Sequence, residues 1–292
     1  MQKGSAQTRP SGEPRRSFEV PRALRRLMRL AEMIHWRLAL LFALRLFFTP
    51  IKFSVPKREH AIRKTASQQL IPAGSQEAQL FEWGKSGKKV LLMHGWSGRA
   101  SQFFRLTEKL VQEGYHVFSI EAPAHGESKE RQTDMLEFVQ AIEWTCQNKG
   151  PFAMAIGHSL GGVALFNAHA RLGGSFENII TIGTPANINN VVSDFCAVVG
   201  ASERVAKGII RRIQKDFKLN VEDVSTDKLA AEWNPPGAIF HDEQDADVPV
   251  VNARQLAKAW ENATLEISDG LGHRRILSEP KIHHRIIQLL QH

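Results

Sequence analysis

The sequence predicts an α/β fold: a mostly parallel central sheet, helices on both of its faces, and a helical segment inserted late in the chain. Three observations carry that prediction. From Gln79 onward, short apolar runs alternate with longer stretches of helical periodicity, the rhythm of βαβ units. The runs do not alternate with polar residues; Val90-Leu91-Leu92-Met93 is apolar throughout, as in a strand buried on both faces. Finally, Gly157-His158-Ser159-Leu160-Gly161-Gly162 stands between the apolar run Phe152-Ala153-Met154-Ala155-Ile156 and a helical pattern starting at Val163. A strand must turn there sharply into a helix, and only small residues leave room for it.

In chain order, residues 1–21 are rich in Pro, Gly, Ser, Lys and Arg and read as a disordered basic leader. Over 22–50 the character changes. Leu24, Leu27, Met28, Leu30, Ala31 and Ile34 recur at helical spacing between Arg22, Arg25, Arg26 and Arg29, and an apolar run from Leu38 to Phe48 follows, stopped by Thr49-Pro50. That run is short and contains Arg45, so no transmembrane helix is expected. The long basic region, with no small-residue cleavage site after it, does not fit a signal peptide. The segment reads as an amphipathic basic and apolar helical arm. Two destinations stay open for it: an anionic membrane surface, with arginines snorkelling and Leu and Phe buried, or the apolar face of the domain or of a second subunit.

Residues 51–185 and 237–292 are expected to form the α/β core. Over 51–78, Pro56 and Pro72-Ala73-Gly74-Ser75 mark turns, and outer strands are only weakly signalled. Strands are predicted at 78–83, 89–93, 117–122, 152–157, 179–183, 238–241 and 264–268, and helices at 101–113, 133–148, 159–172, 252–260 and 280–290. The alternation breaks once. Residues 186–236 carry three helical patterns (191–199, 202–217 and 226–233) and read as a helical cap over the carboxyl ends of the strands.

The length of 292 residues, with 42% hydrophobic and 23% charged residues, suits a large globular core without disulfides or metals. Cys146 and Cys196 form no recognisable framework, which fits a reducing, cytoplasmic setting, although two cysteines could also pair. Charge is uneven. Residues 1–64 hold 15 Lys/Arg against 4 Asp/Glu, whereas the remainder holds 23 against 26. The basic excess belongs to the arm and leader, and no nucleic-acid-binding motif or domain-wide basic surface is present.

The chemistry starts at Ser159. A Ser hydroxyl is a weak nucleophile at neutral pH and needs a base, which in turn needs an orienting carboxylate. His273 lies in the glycine-containing loop Asp269-Gly270-Leu271-Gly272-His273, after a strand and before the last helix, and is the candidate base. The segment after 238–241 offers Asp242, Glu243, Asp245 and Asp247, and spacing alone does not choose among them. An oxyanion needs two backbone N–H donors aimed at one point. Leu160, directly after Ser159, supplies one. The turn His94-Gly95-Trp96 supplies the other from the Trp96 amide, with Gly95 permitting close approach. His94, His125 and His158 read as structural or pocket-lining. No metal-ligand spacing is present, and chemistry of this kind needs no cofactor.

These ordered motifs, together with Ala122-Pro123-Ala124-His125-Gly126-Glu127-Ser128 and the Asp245-x-x-Val248-Pro249 segment, resemble the α/β-hydrolase superfamily over about residues 78–292. The resemblance implies the α/β-hydrolase fold and a Ser159–Asp245–His273 triad, since the family's acid stands four residues before the proline of that segment. Asp247 and then Asp242 follow in that ranking. Ala124 stands where the family often has Gly. No Asp occupies position 159, which sets aside dehalogenase and epoxide-hydrolase chemistry. The implied activity is hydrolysis of a small-molecule carboxylic ester through an acyl-enzyme. A lipase-like or thioesterase activity on membrane-derived acyl chains, and a non-catalytic membrane-associated protein on the same scaffold, are the alternatives. Substrate and oligomeric state are left open.

Overall fold

The computed structural model describes Arg16 and residues 20–291; the leader expected over 1–21 falls almost wholly outside the described residues. The arm is not one helix. It is α1 (Arg22–Ile34) and α2 (Trp36–Phe47), broken at His35, whose backbone is extended and whose Nδ1 accepts the Arg37 N–H to start α2. Next comes α3 (Lys57–Thr65), which hydrophobic periodicity does not announce because two of its three buried residues, Glu59 and Arg63, are charged. Glu59 accepts from Arg99 Nε (2.6 Å) and Ser101 Oγ (2.8 Å), while Arg63 bonds Glu121 and Glu127, each at 2.8 Å. Buried charges are tolerated when paired and hydrogen-bonded in this way.

The core follows as β1 (Ser67–Ala73), β2 (Gln76–Trp83), β3 (Lys89–Met93), α4 (Phe104–Gln112), β4 (His116–Glu121), α5 (Met135–Lys149), β5 (Met154–His158), α6 (Leu160–Arg171) and β6 (Ile179–Ile182). Three helices, α7 (Ile188–Val199), α8 (Glu203–Phe217) and α9 (Thr226–Trp233), intervene before β7 (Gly237–Asp242), α10 (Val251–Ala259), β8 (Ala263–Ser268), the single turn α11 (Gly272–Arg275) and α12 (Pro280–Gln291). The weakly signalled region before Gln76 contains a whole strand, β1, in a hairpin with β2 closed by Gly74 and Ser75.

The strands form one sheet in the order β1-β2-β4-β3-β5-β6-β7-β8, antiparallel across β1, β2 and β4 and parallel from β4 onward. After β3 the chain goes to one side for β4 and then crosses to the other for β5. The carboxyl ends of β3 and β5 therefore flank a topological switch point, where open α/β sheets form their crevices.

Successive apolar residues serve opposite faces. Leu91 and Met93 pack with α5, α6 and α10 through Phe138, Leu165 and Leu256, whereas Val90 and Leu92 pack with α4 and α12 through Leu106, Leu110 and Ile286. Double-sided burial explains the unbroken apolar runs. A third cluster lies apart from the sheet: Met28, Ala39 and Ala43 of the arm pack on Val192, Cys196 and Val199 of α7 and on Val205 and Ile209 of α8. One face of the arm is thus spent on the inserted helices. Cys146 and Cys196 are both free thiols.

Candidate active site

Ser159 sits between β5 and α6 with φ 52° and ψ −123°, a conformation that costs a non-glycine residue on the order of 1–3 kcal/mol. Hydrogen bonds hold it there: its N–H donates to the Ile182 carbonyl (2.9 Å) and its carbonyl accepts from Gly162 (3.0 Å). Backbone crowding explains the surrounding glycines. A Cβ on Gly157 would come within 2.5 Å of Gly162 Cα, one on Gly161 within 2.2 Å of the Met93 carbonyl oxygen, and one on Gly95 within 2.6 Å of Ser159 Cβ. Strand, helix and the loop after β3 meet with no space for side chains, and Ser159 itself is left partly exposed.

The two C-terminal strands bring a carboxylate and an imidazole to the same edge. β7 and β8 pair in register as far as Asp242 with Ser268, so the loops that follow them run side by side. Within that edge Asp245 Oδ2 accepts from His273 Nδ1 at 2.7 Å, and Asp245 Oδ1 accepts from the N–H groups of Asp247 (2.9 Å) and Val248 (2.8 Å). The carboxylate is buried and its three hydrogen bonds fix its orientation. A hydrogen bond at Nδ1 makes that nitrogen the donor of the ring, and the other nitrogen, Nε2, then carries the lone pair. Gly183 lies beneath the pair; a Cβ there would stand 3.2 Å from His273 Nδ1 and 3.4 Å from Asp245 Oδ2.

Asp242, ranked third as the acid, has a different employment. Its carboxylate accepts from Gly272 N (2.8 Å), Leu271 N (3.0 Å), Gln244 N (3.0 Å) and Ser268 Oγ (2.8 Å), clamping the loop that carries His273. Burial alone would raise its pKa, but these donors outweigh burial and hold the carboxyl below the usual Asp value. An Asp at the end of a strand gives no sequence signal for that clamp, because three of its four donors belong to β8 and the loop after it, far along the chain.

The flanking histidines are buried and neutral. Burial lowers His94 to about 4, and it lowers His125 and His158 well below the ordinary His value, with His94 and His273 respectively adding repulsion. His94 Nε2 accepts the Ala122 N–H (3.0 Å), and His125 Nε2 accepts the Ser97 N–H (2.9 Å), which stitches the loop after β3 to the loop after β4. His158 is closer to the chemistry. Its Nε2 donates to the His273 carbonyl (2.9 Å), and its ring centroid lies 4.6 Å from that of His273. The elbow residue preceding Ser159 therefore pins the backbone of residue 273.

Trp96 lies on the loop that abuts Ser159, its side chain half-buried against His125 and Phe138. The backbone N–H groups of Trp96 and Leu160 make no hydrogen bond among the described residues. Arg99, ion-paired to Glu59, anchors the far end of that loop to α3. Among the described residues, Asp245, Asp247 and His273 bring ligand-type atoms within 4.8 Å of one another, and the Asp245–His273 hydrogen bond itself accounts for much of that closeness. A cavity of about 460 Å³ lies elsewhere, where α2, α8 and the start of α5 meet; Leu41, Leu44, Phe48 and Phe217 line it, and Ser159, Asp245 and His273 do not.

Known proteins share this arrangement of elements. A monoacylglycerol lipase of Mycolicibacterium smegmatis is 23% identical over 232 residues, 66% of this chain and 82% of the lipase. Among solved structures, an esterase from Exiguobacterium antarcticum superposes with a TM-score of 0.60 at 16% identity, over 77% of this chain and all of the esterase. The thioesterase domain of the curacin biosynthetic pathway gives a TM-score of 0.58 at 14% identity, over 78% of this chain and 99% of that domain. The family described as serine aminopeptidase, S33, matches residues 84–233, about half of the sequence, and the chain belongs to that family of α/β-hydrolases.

Proposed function

We propose that this hydrolase cleaves a carboxylic ester through an acyl-enzyme, with Ser159 as nucleophile, His273 as general base and acid, and Asp245 as the orienting carboxylate. Ser159 Oγ attacks the carbonyl carbon while His273 Nε2 takes its proton. The developing oxyanion is received by the amides of Trp96 and Leu160, a contribution worth about 10²–10³ in turnover per donor in comparable sites. Collapse of the tetrahedral intermediate breaks the ester bond, and the imidazolium gives its proton to the departing alcohol. Water, deprotonated by the same ring, then attacks the acyl group, and the acid leaves with Ser159 regenerated. Asp245 stabilises the imidazolium without taking the proton.

The 2.7 Å hydrogen bond from His273 Nδ1 to a carboxylate whose other oxygen is already engaged is the observation that carries this reading. It leaves Nε2 as the basic nitrogen at the edge where the strained Ser159 stands. The segment 186–236 acts as a cap that shapes the acyl pocket. Similarity to a monoacylglycerol lipase favours a lipid-derived acyl chain as the substrate class.

A fluorophosphonate probe tests the nucleophile. The folded protein takes up the label, and Ser159→Ala takes up none while its thermal unfolding stays close to that of the parent. A folded parent that remains unlabelled overturns the enzyme reading and returns the scaffold to a non-catalytic role. A series of p-nitrophenyl esters of increasing chain length then reports the pocket, and an optimum at the shortest chains refutes the lipid-derived substrate.

A further inference from the structure

We infer that α1 is a membrane-docking surface that lays the arm and the inserted helices on an anionic phospholipid bilayer. The arm's inner face is already used: Met28 is fully buried among Val192, Cys196 and Val199. Its outer face is apolar and uncovered among the described residues. Leu27, Leu30 and Ile34, spaced i, i+3 and i+7, form one row along α1, with Met33 beside them; Met33 is 82% and Ile34 75% exposed. On α2, Leu38 and Leu41 are also exposed. Side chains of this size standing in water are a feature of interaction surfaces.

Charge selects the occupant. Next to the apolar row, Arg22, Arg26 and Arg29 repeat at i, i+4 and i+7, all exposed and making no ion pair among the described residues. The single carboxylate of α1, Glu32, is turned the other way and accepts from the N–H and hydroxyl of Ser202 at the start of α8. An uncompensated basic row beside a row of Leu and Ile is the pattern of a helix lying in the interface of an anionic membrane. A second copy fits poorly, because apposing these faces would bring arginine rows together with no carboxylate between them. Among the described residues no helix is long and apolar enough to cross a membrane, so the arm lies on the surface rather than spanning it.

The link to the site is short. Past α2 the chain crosses the loops that frame Ser159. The Phe48 carbonyl accepts from Thr133 (3.1 Å), the Ile51 N–H donates to Ser97 Oγ (2.9 Å), and the Arg274 guanidinium stands 5.0 Å from the Phe53 ring. These contacts tie the segment that follows the arm to the loops beside Trp96 and His273. The docking itself does not depend on the esterase reading, since it is read out as vesicle binding.

The full chain is sedimented with vesicles of phosphatidylcholine alone and with vesicles of equal parts phosphatidylcholine and phosphatidylglycerol. The expected result is binding to the second only, weakened by salt. Arg22→Gln/Arg26→Gln/Arg29→Gln lowers that binding by about a hundredfold, as three surface arginines should. Met33→Ser/Ile34→Ser lowers it by about tenfold or more, with hydrolysis of a soluble short-chain ester and thermal unfolding unchanged. Parental binding in either variant overturns the proposal, as does a parent that ignores phosphatidylglycerol vesicles. A parent that is dimeric by light scattering, becomes monomeric in Met33→Ser/Ile34→Ser and binds no vesicle assigns the surface to a second copy instead.

Discussion

Replacing Asp245 by Asn separates orientation from packing more cleanly than any other single change at this site. The two side chains have the same shape, but the amide has one acceptor where the carboxylate has two. With its oxygen in the place of Oδ1, the new amide keeps the bonds from Asp247 N (2.9 Å) and Val248 N (2.8 Å) and points its NH₂ at His273 Nδ1. The imidazole can then only accept at Nδ1, so its proton moves to Nε2, the wrong tautomer to take a proton from Ser159. Flipping the amide would restore a donor-to-acceptor contact with the ring. It would also set an NH₂ against two buried backbone donors, at a cost of about 1–3 kcal/mol for each bond lost. One regained hydrogen bond, worth about 1 kcal/mol, does not offset that. The amide therefore settles in the unproductive orientation. A comparable carboxylate-to-amide change in a Ser-His-Asp hydrolase lowers kcat by about 10⁴, or roughly 5 kcal/mol of barrier. Steady-state hydrolysis of a soluble p-nitrophenyl ester measures this, and a thermal melt confirms that the fold survives. Asp247→Asn, which keeps the backbone N–H that donates to Asp245, should lose far less. Activity of Asp245→Asn within tenfold of the parent, or a deeper loss in Asp247→Asn, refutes the assignment.

Asp242→Asn should act through the loop instead. With four donors converging on the carboxylate, an amide must turn its NH₂ against at least one of them, so we expect a loss of about 1–3 kcal/mol in stability and a fall in kcat that follows the displaced His273; urea unfolding reads the first, and an unchanged midpoint contradicts the clamp. Acid should destabilise the fold before ordinary carboxylates titrate. The buried His94, held down to about 4, stays neutral in the folded chain, whereas the unfolded chain takes up a proton below about 6.5. Stability therefore falls as pH drops through that window, by about 3 kcal/mol from His94 across its full width, with His125 and His158 pulling the same way. Urea midpoints at about pH 7.5 and about pH 5 measure it, and an equal or higher midpoint at the acid value counts against neutral buried histidines.

Much of the sheet was legible because burial on both faces writes itself into composition. Val90-Leu91-Leu92-Met93 has no polar position to lose, and β3 runs over Lys89–Met93 as the run implies. The elbow was legible for a related reason: crowding at Gly157 and Gly161 excludes every side chain, so glycine there is a statement about distance. Helix α3 was not legible, since Glu59 and Arg63 are buried by virtue of partners at Arg99, Glu121 and Glu127, and a pattern that counts apolar residues reads such a helix as surface. The break of the arm at His35 went unseen as well, because helical periodicity continues across it.

Local chain chemistry determined most of the strands, the elbow and the helices other than α3, and which residue types stand at the site, since those depend on neighbours a few positions away. It could not choose among Asp242, Asp245 and Asp247 as the partner of the imidazole, nor decide which side of the arm is covered. Both are settled by groups far away in sequence. Parallel pairing of β7 with β8 brings residue 245 to 2.7 Å from residue 273 while Asp242 is taken by Leu271 and Gly272, and the packing of α7 and α8 on Met28 leaves Met33 and Ile34 facing outward. A side chain's partner is a property of the assembled sheet edge, and the spacing before Pro249 ranks Asp245 first only through the family resemblance.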